Sequence, residues 1–299
     1  MIYTVTLNPA LDYVIQVDHF KTGQINRNKS ENIYYGGKGI NVSWILKELD
    51  VRSTALGFIA GFTGKALKDG LHRNGILTDF VEVSQGMTRI NVKMKSDDET
   101  EINGKGPLIT EDDFRRLKEK TFTFKSGDLL ILSGSIPSCM SSDTYEQLIQ
   151  GLPEGVGTVV DAEKELLLKI LKYHPFLIKP NHIELADMLE KTLETEADII
   201  SGAKELQARG ARNVLVSMAG DGAILVDENG NVHTAKAARG TVVNSVGAGD
   251  SMVAGFVAGY LQTKDYGHAL KLGTACGGAT AFHSGLATRA EIEEILQTL

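Results

Sequence analysis

The chain has 299 residues, 42% of them hydrophobic and 23% charged, with a formal net charge of −7 and a sequence pI near 5.6. This balance suits one globular body with a large apolar core. The absence of any basic run or basic–aromatic interleaving argues against a nucleic-acid partner, and no apolar run reaches membrane-spanning length.

In chain order, Met1–Leu7 reads as a strand rather than a signal peptide. Leu11–Tyr35 and Arg89–Ile102 alternate polar and apolar residues, as in Ile90, Val92 and Met94 against Asn91, Lys93 and Lys95, so each predicts strands with one solvated face. Further strands are predicted at Ser53–Ile59, Asp128–Leu132, Thr158–Val160, Phe176–Ile178, Val214–Ser217 and Ala223–Val226. Between them lie predicted helices at Asn41–Leu49, Glu111–Lys118, Asp143–Gln150, Glu163–Tyr173, His182–Leu189 and Ile199–Arg209, and Met252–Leu261 reads as a buried helix. Near-continuous apolar strands alternating with helices predict an α/β fold with a mainly parallel sheet covered on both faces. The two alternating segments, about 12–35 and 88–103, predict a small second sheet within a single domain of 1–299, acting as a lid over a cleft, as a dimer surface, or as both. Cys139 and Cys276 match no metal spacing and read as reduced thiols, with Cys139, in the loop after Pro137, open to reactivity. The seven histidines, His182 and His283 among them, form no ligand cluster.

Two glycine-rich segments carry chemistry. Gly247-Ala248-Gly249 precedes the buried Met252–Leu261 helix, so its backbone N–H groups lie at a helix N-terminus, where they and the helix dipole favour an anion. Asp250 follows at once, either as a base beside that anion site or as a helix cap. Gly36-Gly37-Lys38-Gly39 joins a strand to a helix and is either a turn or a cradle in which Lys38 meets a phosphate and Asn41 a sugar hydroxyl. It is no Walker A loop, and no GxGxxG fingerprint surrounds Gly247. Asp12 sits just past the first strand, where it could take sugar hydroxyls or cap a turn, and Arg89 opens a lid strand, where it could clamp a phosphate or remain a surface charge. Lys179-Pro180-Asn181-His182-Ile183-Glu184 has the spacing of a capping box and also of a group that orders water and Mg²⁺ near nucleotide phosphates. Ser217–Gly222 reads as a hairpin turn whose backbone could line a nucleotide.

The order of four segments, Asn8-Pro9-Ala10-Leu11-Asp12, Gly36–Val42, Asn181–Glu184 and Gly247–Ser251, resembles the PfkB (ribokinase-like) carbohydrate kinases over essentially the whole chain. Within that family the chain is similar to the phosphosugar kinases, through the Asn8–Asp12 start, the Gly36–Gly39 loop and Thr88-Arg89, and Gly57–Gly64 and Glu99–Gly104 narrow the likeness to those acting on fructose 1-phosphate. The resemblance implies a ribokinase-like fold and ATP-dependent phosphorylation of a sugar phosphate's free primary hydroxyl. For D-fructose 1-phosphate that is O6, giving fructose 1,6-bisphosphate; tagatose 6-phosphate and fructose 6-phosphate are the alternative acceptors, and a catalytically silent sugar-phosphate sensor is a third reading. It further implies Asp250 as base, with the N–H groups of Gly247, Ala248 and Gly249 receiving the transferred phosphoryl. Asp12, Gly37, Lys38, Asn41, Arg89 and Arg27 are implied on the sugar phosphate, Arg27 across a dimer. Lys179, Asn181, Ser217, Gly220, Gly222 and Gly249 are implied at ATP, and Glu184 with Asn181 at Mg²⁺ through water. A homodimer through the lid and a cytoplasmic setting complete the expectation. Because the base accepts its proton late in such a transfer, an ordinary aspartate pKa is expected to suffice.

Overall fold

A computed structural model describes all residues, 1–299. Ile2–Thr6 lies inside the main sheet, with Ser53–Ala60 on one side and Leu129–Ser133 on the other, both parallel to it. Beyond Leu129–Ser133 the sheet continues in parallel through Gly157–Asp161, Leu177–Ile178 and Asn213–Ser217. It ends in an antiparallel hairpin of Ala223–Val226 and Val232–Ala235. At the other edge, Leu77–Thr78 and Val81–Val83 both pair with Ser53–Ala60. The chain leaves Ile2–Thr6 toward one side of the sheet and later fills the other, so the crevice beyond its carboxyl end is where such sheets take ligands.

Successive strand residues serve opposite layers. Leu132, Val160, Ile178 and Val214 pack against Leu117, Leu148, Leu167, Leu185 and Leu206 of the helices on one face. Ile131, Val159, Leu177 and Leu215 pack on the other against Ile45, Val257 and Cys276. The second face carries the paired helices Ala248–Thr263 and Tyr266–Ala281. These two approach so closely that a Cβ at Gly255 would lie 2.7 Å from Cys276 Sγ, and one at Gly273 2.8 Å from the Met252 carbonyl.

The second sheet is present as expected, in the order Ser30–Gly36, Ala10–Gln16, Arg89–Lys95, Glu99–Asn103. Its register places Asp12, Tyr34, Asn91 and Asn103 side by side, so they share one face. Leu11, Tyr35 and Ile90 share the other and pack on Ile40, Leu67 and Leu71 of the main body. Farther out on that second face Ile33 and Ile102 remain 58% and 65% exposed.

The structure adds three helices that the sequence reading did not assign, Gly61–Arg73, Tyr266–Ala281 and Arg289–Thr298. The first two are glycine-containing throughout; low intrinsic helix propensity is overridden where tight packing needs small residues. The expected helix at Glu163–Tyr173 is shorter, Lys164–Ile170, and closes in a 3₁₀ turn at Leu171–Tyr173.

Candidate active site

The site is assembled at two helix N-termini. The first belongs to Ala248–Thr263, whose N-cap Gly247 has φ 83°, a left-handed conformation that glycine adopts without a Cβ penalty. A Cβ there would also come within 2.7 Å of Leu286. Ser251 fixes the turn from inside: its hydroxyl donates to the Gly247 carbonyl at 2.8 Å and meets Thr280 Oγ1 at 2.8 Å. The N–H of Ala248 turns back onto the Ser245 carbonyl at 3.2 Å, whereas those of Gly247, Gly249 and Asp250 have no partner within the chain. The N–H groups left free at this helix N-terminus are therefore those of Gly247, Gly249 and Asp250, while that of Ala248, expected among them, is engaged in the turn.

Asp250 is the third residue of this helix and 5% exposed, and it does not cap it. Its Oδ2 instead accepts from Asn41 Nδ2 at 2.8 Å. Asn41 comes from the second helix, Lys38–Glu48, which begins after Gly37 at φ 139°. Lys38 and Asn41 are three residues apart on that helix and so share a face. Burial drives the Asp250 pKa up, and the nearby Asp161 charge adds to it; the Asn41 hydrogen bond, Lys38 and Lys179 act in opposition, and the result is about 7. An ordinary aspartate value is thus overturned: the carboxylate is poised near neutrality, where a general base is most effective. Burial also works to lower the Lys38 pKa, but the carboxylates of Asp161, Asp250, Glu184 and Glu163 outweigh it and hold the ammonium above its usual value.

Asp161 was not singled out from the sequence. It ends the strand Gly157–Asp161 and forms a buried ion pair with Lys179, Oδ1 to Nζ 3.4 Å. A lone carboxylate closing an apolar strand at the sheet's ligand edge was the available signal. Lys179 follows Leu177–Ile178, and a Cβ on Gly249 would lie 3.2 Å from its Nζ, which puts the ammonium beneath the anion-facing turn.

The lid supplies the opposite wall. Asp12 Oδ1 accepts from Asn91 Nδ2 at 2.8 Å, and a side chain at Gly36 would collide with the Asp12 carboxylate. Arg89 lies one pleat from Asn91 on the same face, with Nε donating to the Asn8 carbonyl at 3.1 Å. Burial lowers the Arg89 pKa despite the neighbouring Asp12 charge, though a guanidinium stays protonated. Asp12, Gly36 and Asn41 line a cleft of ≈ 690 Å³ together with Lys93, Val246 and Leu286. Arg27 is not part of this wall. It is exposed in the turn beyond the Gln16–Ser30 end of the lid, four strand positions past Asp12.

Asn181 and Glu184 form a reciprocal capping box for the helix His182–Leu189: Asn181 Oδ1 accepts from the Glu184 N–H at 2.8 Å, and Glu184 Oε2 from the Asn181 N–H at 2.7 Å. Glu184 Oε1 stays unpaired within the chain. Ser217 bridges to Asn181, its N–H donating to the Pro180 carbonyl at 3.2 Å, so the hairpin turn with Gly220 and Gly222 is brought beside the capping box. Cys139 lies elsewhere, exposed in a groove with Phe114 and Arg115, and Cys276 is buried, which pushes its thiol pKa up.

The model of the pfkB family carbohydrate kinases matches residues 5–293. The chain is 46% identical over 297 residues to the 1-phosphofructokinase of Bacillus subtilis (strain 168), covering 99% of this chain and 97% of that one. It is 40% identical over 296 residues to the D-tagatose-1-phosphate kinase of Bacillus licheniformis, covering 98% and 97%. Among solved structures it superposes with a TM-score of 0.93 on phosphofructokinase-2 from Escherichia coli in complex with substrates and products, at 28% identity over 100% of this chain and 99% of that one.

Proposed function

The chain belongs to the pfkB family of carbohydrate kinases, and within it we propose that it transfers the γ-phosphoryl of ATP to O6 of D-fructose 1-phosphate, giving fructose 1,6-bisphosphate. The observation that carries this reading is Asp250: one buried carboxylate with a pKa near 7, placed at unpaired helix N–H groups and faced by two lysines. Near-complete coverage by a 1-phosphofructokinase at 46% identity supports the choice of acceptor.

Asp250 accepts the proton of the attacking hydroxyl. The N–H groups of Gly247, Gly249 and Asp250 receive the charge of the transferring phosphoryl, and Lys179 adds positive charge behind them. This transfer rests on positioning and electrostatics rather than covalent help. Asp12 and Asn41 hold sugar hydroxyls, and Lys38 and Arg89 hold the acceptor's own phosphate against the Gly37 turn. Ser217, Gly220 and Gly222 line the nucleotide beside Asn181.

No three His, Cys, Asp or Glu side chains form a metal cage. The free Glu184 Oε1 fits Mg²⁺, which keeps most of its waters and takes phosphate oxygens with one or two carboxylates rather than a full protein shell. Glu184 Oε1, with Asn181 through water, would hold it, and the ion supplies neutralisation of the phosphate charge.

The lid faces solvent with Ile33 and Ile102, and pairing that surface with a second copy covers it; Arg27, exposed beyond the lid, is then a candidate to act on the partner's acceptor. The free thiols Cys139 and Cys276 fit a cytoplasmic setting. No helix is long and apolar enough to cross a membrane.

A coupled ADP-release assay over fructose 1-phosphate, tagatose 1-phosphate, tagatose 6-phosphate and fructose 6-phosphate tests the acceptor. The expected order puts fructose 1-phosphate first in kcat/KM. Preference for a 6-phosphate overturns the acceptor, and tight sugar-phosphate binding without ADP release overturns the kinase reading.

A further inference from the structure

Asn91 is 7% exposed and stands beside Asp12 in the parallel ladder of the lid. Both ends of its amide are used: Nδ2 donates to Asp12 Oδ1 at 2.8 Å, and Oδ1 accepts from the N–H of Gly104 at 3.2 Å. That pair of bonds fixes the orientation of the amide, because the reverse would set its carbonyl against a carboxylate and its NH₂ against an N–H. Asp12 has no other hydrogen bond within the chain, and on its far side lies the bare Cα of Gly36. The carboxylate is therefore held from two directions, with Oδ2 left to accept.

Gly104 follows the last lid strand and is itself pressed against this segment. A Cβ there would lie 2.8 Å from the Ile90 carbonyl and 3.0 Å from Arg89 Cβ. The stretch Arg89–Asn91 thus carries a guanidinium on the cleft face at one pleat and the clamp on Asp12 at the next. Three strands of the lid converge on a single amide, and none of the bonds to it comes from the main body.

We propose that Asn91 is a positioning residue for the acceptor: it fixes the Asp12 carboxylate at a set distance from Arg89, and that distance selects the spacing between hydroxyl and phosphate that the sugar phosphate must match. The proposal rests on Asp12 and Arg89 as acceptor ligands.

Asn91→Leu keeps the branched outline of the side chain and removes both bonds. A buried hydrogen bond to a charged group, once lost, is expected to raise the sugar-phosphate KM by about 10- to 100-fold, with the ATP KM and saturating kcat within about threefold of wild type. Asn91→Asp places a second carboxyl against Asp12, and two carboxyls at that distance share a proton. Its sugar-phosphate KM is expected to rise as for Asn91→Leu, with the ATP KM within about threefold of wild type. Equal changes in both KM values, or no change in either, overturn the proposal. A crystal structure of Asn91→Leu gives a readout free of turnover: the Asp12 carboxylate is expected to leave its place against Gly36, and an unmoved Asp12 overturns the proposal. If wild type phosphorylates no sugar phosphate, the acceptor reading falls, and the position of Asp12 in that variant still decides for or against Asn91.

Discussion

Asn41 Nδ2 donates to Asp250 Oδ2 across 2.8 Å, joining residues 209 positions apart and the N-termini of two different helices. The bond favours the charged carboxylate, while burial and Asp161 oppose it. The carboxylate is thus held between competing influences, and each can be removed separately.

Replacing Asp250 by Asn is expected to leave a folded protein that binds both substrates and turns over more slowly by about 10²- to 10⁴-fold, the usual range for loss of a general base. The same change is expected to raise the Tm at pH 8. The sign follows from linkage: the native carboxyl binds its proton more tightly than the unfolded one, so between the unfolded pKa near 3.8 and the native value near 7 stability falls as pH rises. Above pH 7 the buried charge is fully carried, and Asn relieves it. Scanning calorimetry at pH 5 and pH 8 checks this; an unchanged or lower Tm at pH 8 would contradict it.

Activity is expected to fall on the acid side with an apparent pKa near 7, because Asp250 must be ionised to accept a proton. Asn41→Leu and Lys38→Ala each remove an influence that lowers this pKa, so both are expected to move the acid limb upward. Arg89→Ala is not among the groups acting on Asp250 and is expected to leave the limb in place. The measurement is kcat/KM against pH, which reports the ionisations of the free enzyme; an Arg89→Ala shift as large as that of Lys38→Ala would count against the assignment.

Lys38→Ala and Arg89→Ala are both expected to raise the sugar-phosphate KM about 10- to 100-fold, as for a lost charge-assisted contact, with a smaller effect on the ATP KM. Steady-state titration of each substrate at saturation of the other separates the two. Parallel increases would remove both residues from the acceptor phosphate.

The buried pair of Asp161 and Lys179 yields a stability prediction. Lys179→Met strands Asp161 without its partner and is expected to cost about 3–5 kcal/mol, as for breaking one side of a buried ion pair. Asp161→Asn combined with Lys179→Met is expected to recover most of it. Urea denaturation of the three variants checks the cycle, and strict additivity would show that the pair is not coupled.

Ile33→Asp and Ile102→Asp place charges on the solvent face of the lid and are expected to break the lid dimer proposed above into monomers. Light scattering coupled to size exclusion reads the mass directly. A dimer that survives both changes must use another surface.

The main sheet was legible because its strands are nearly pure apolar runs, as in Leu129–Leu132, and the lid because Ile90–Lys95 alternates. Asp250 was legible from the glycines before it, and the Asn181–Glu184 capping box from its spacing. Tyr266–Ala281 was hidden because its glycines, which argue against a helix in isolation, are there for the helix packed across it. Asp161 was hidden because its only mark is to close an apolar strand, and its partner Lys179 reaches it from beyond the neighbouring strand. The raised pKa of Asp250 was beyond sequence for the same reason, since burial, Asn41 and Asp161 reach it from distant segments.

The close seam between Ala248–Thr263 and Tyr266–Ala281 leaves no room for even one methyl group at Gly255 or Gly273. The helix bearing Asp250 is therefore clamped along its length. The opposite wall of the cleft is the lid, two excursions of the chain joined to the main body through Leu11, Tyr35 and Ile90. In a protein built this way, edits to the lid alter the acceptor side of the cleft without disturbing the helix seam beneath Asp250.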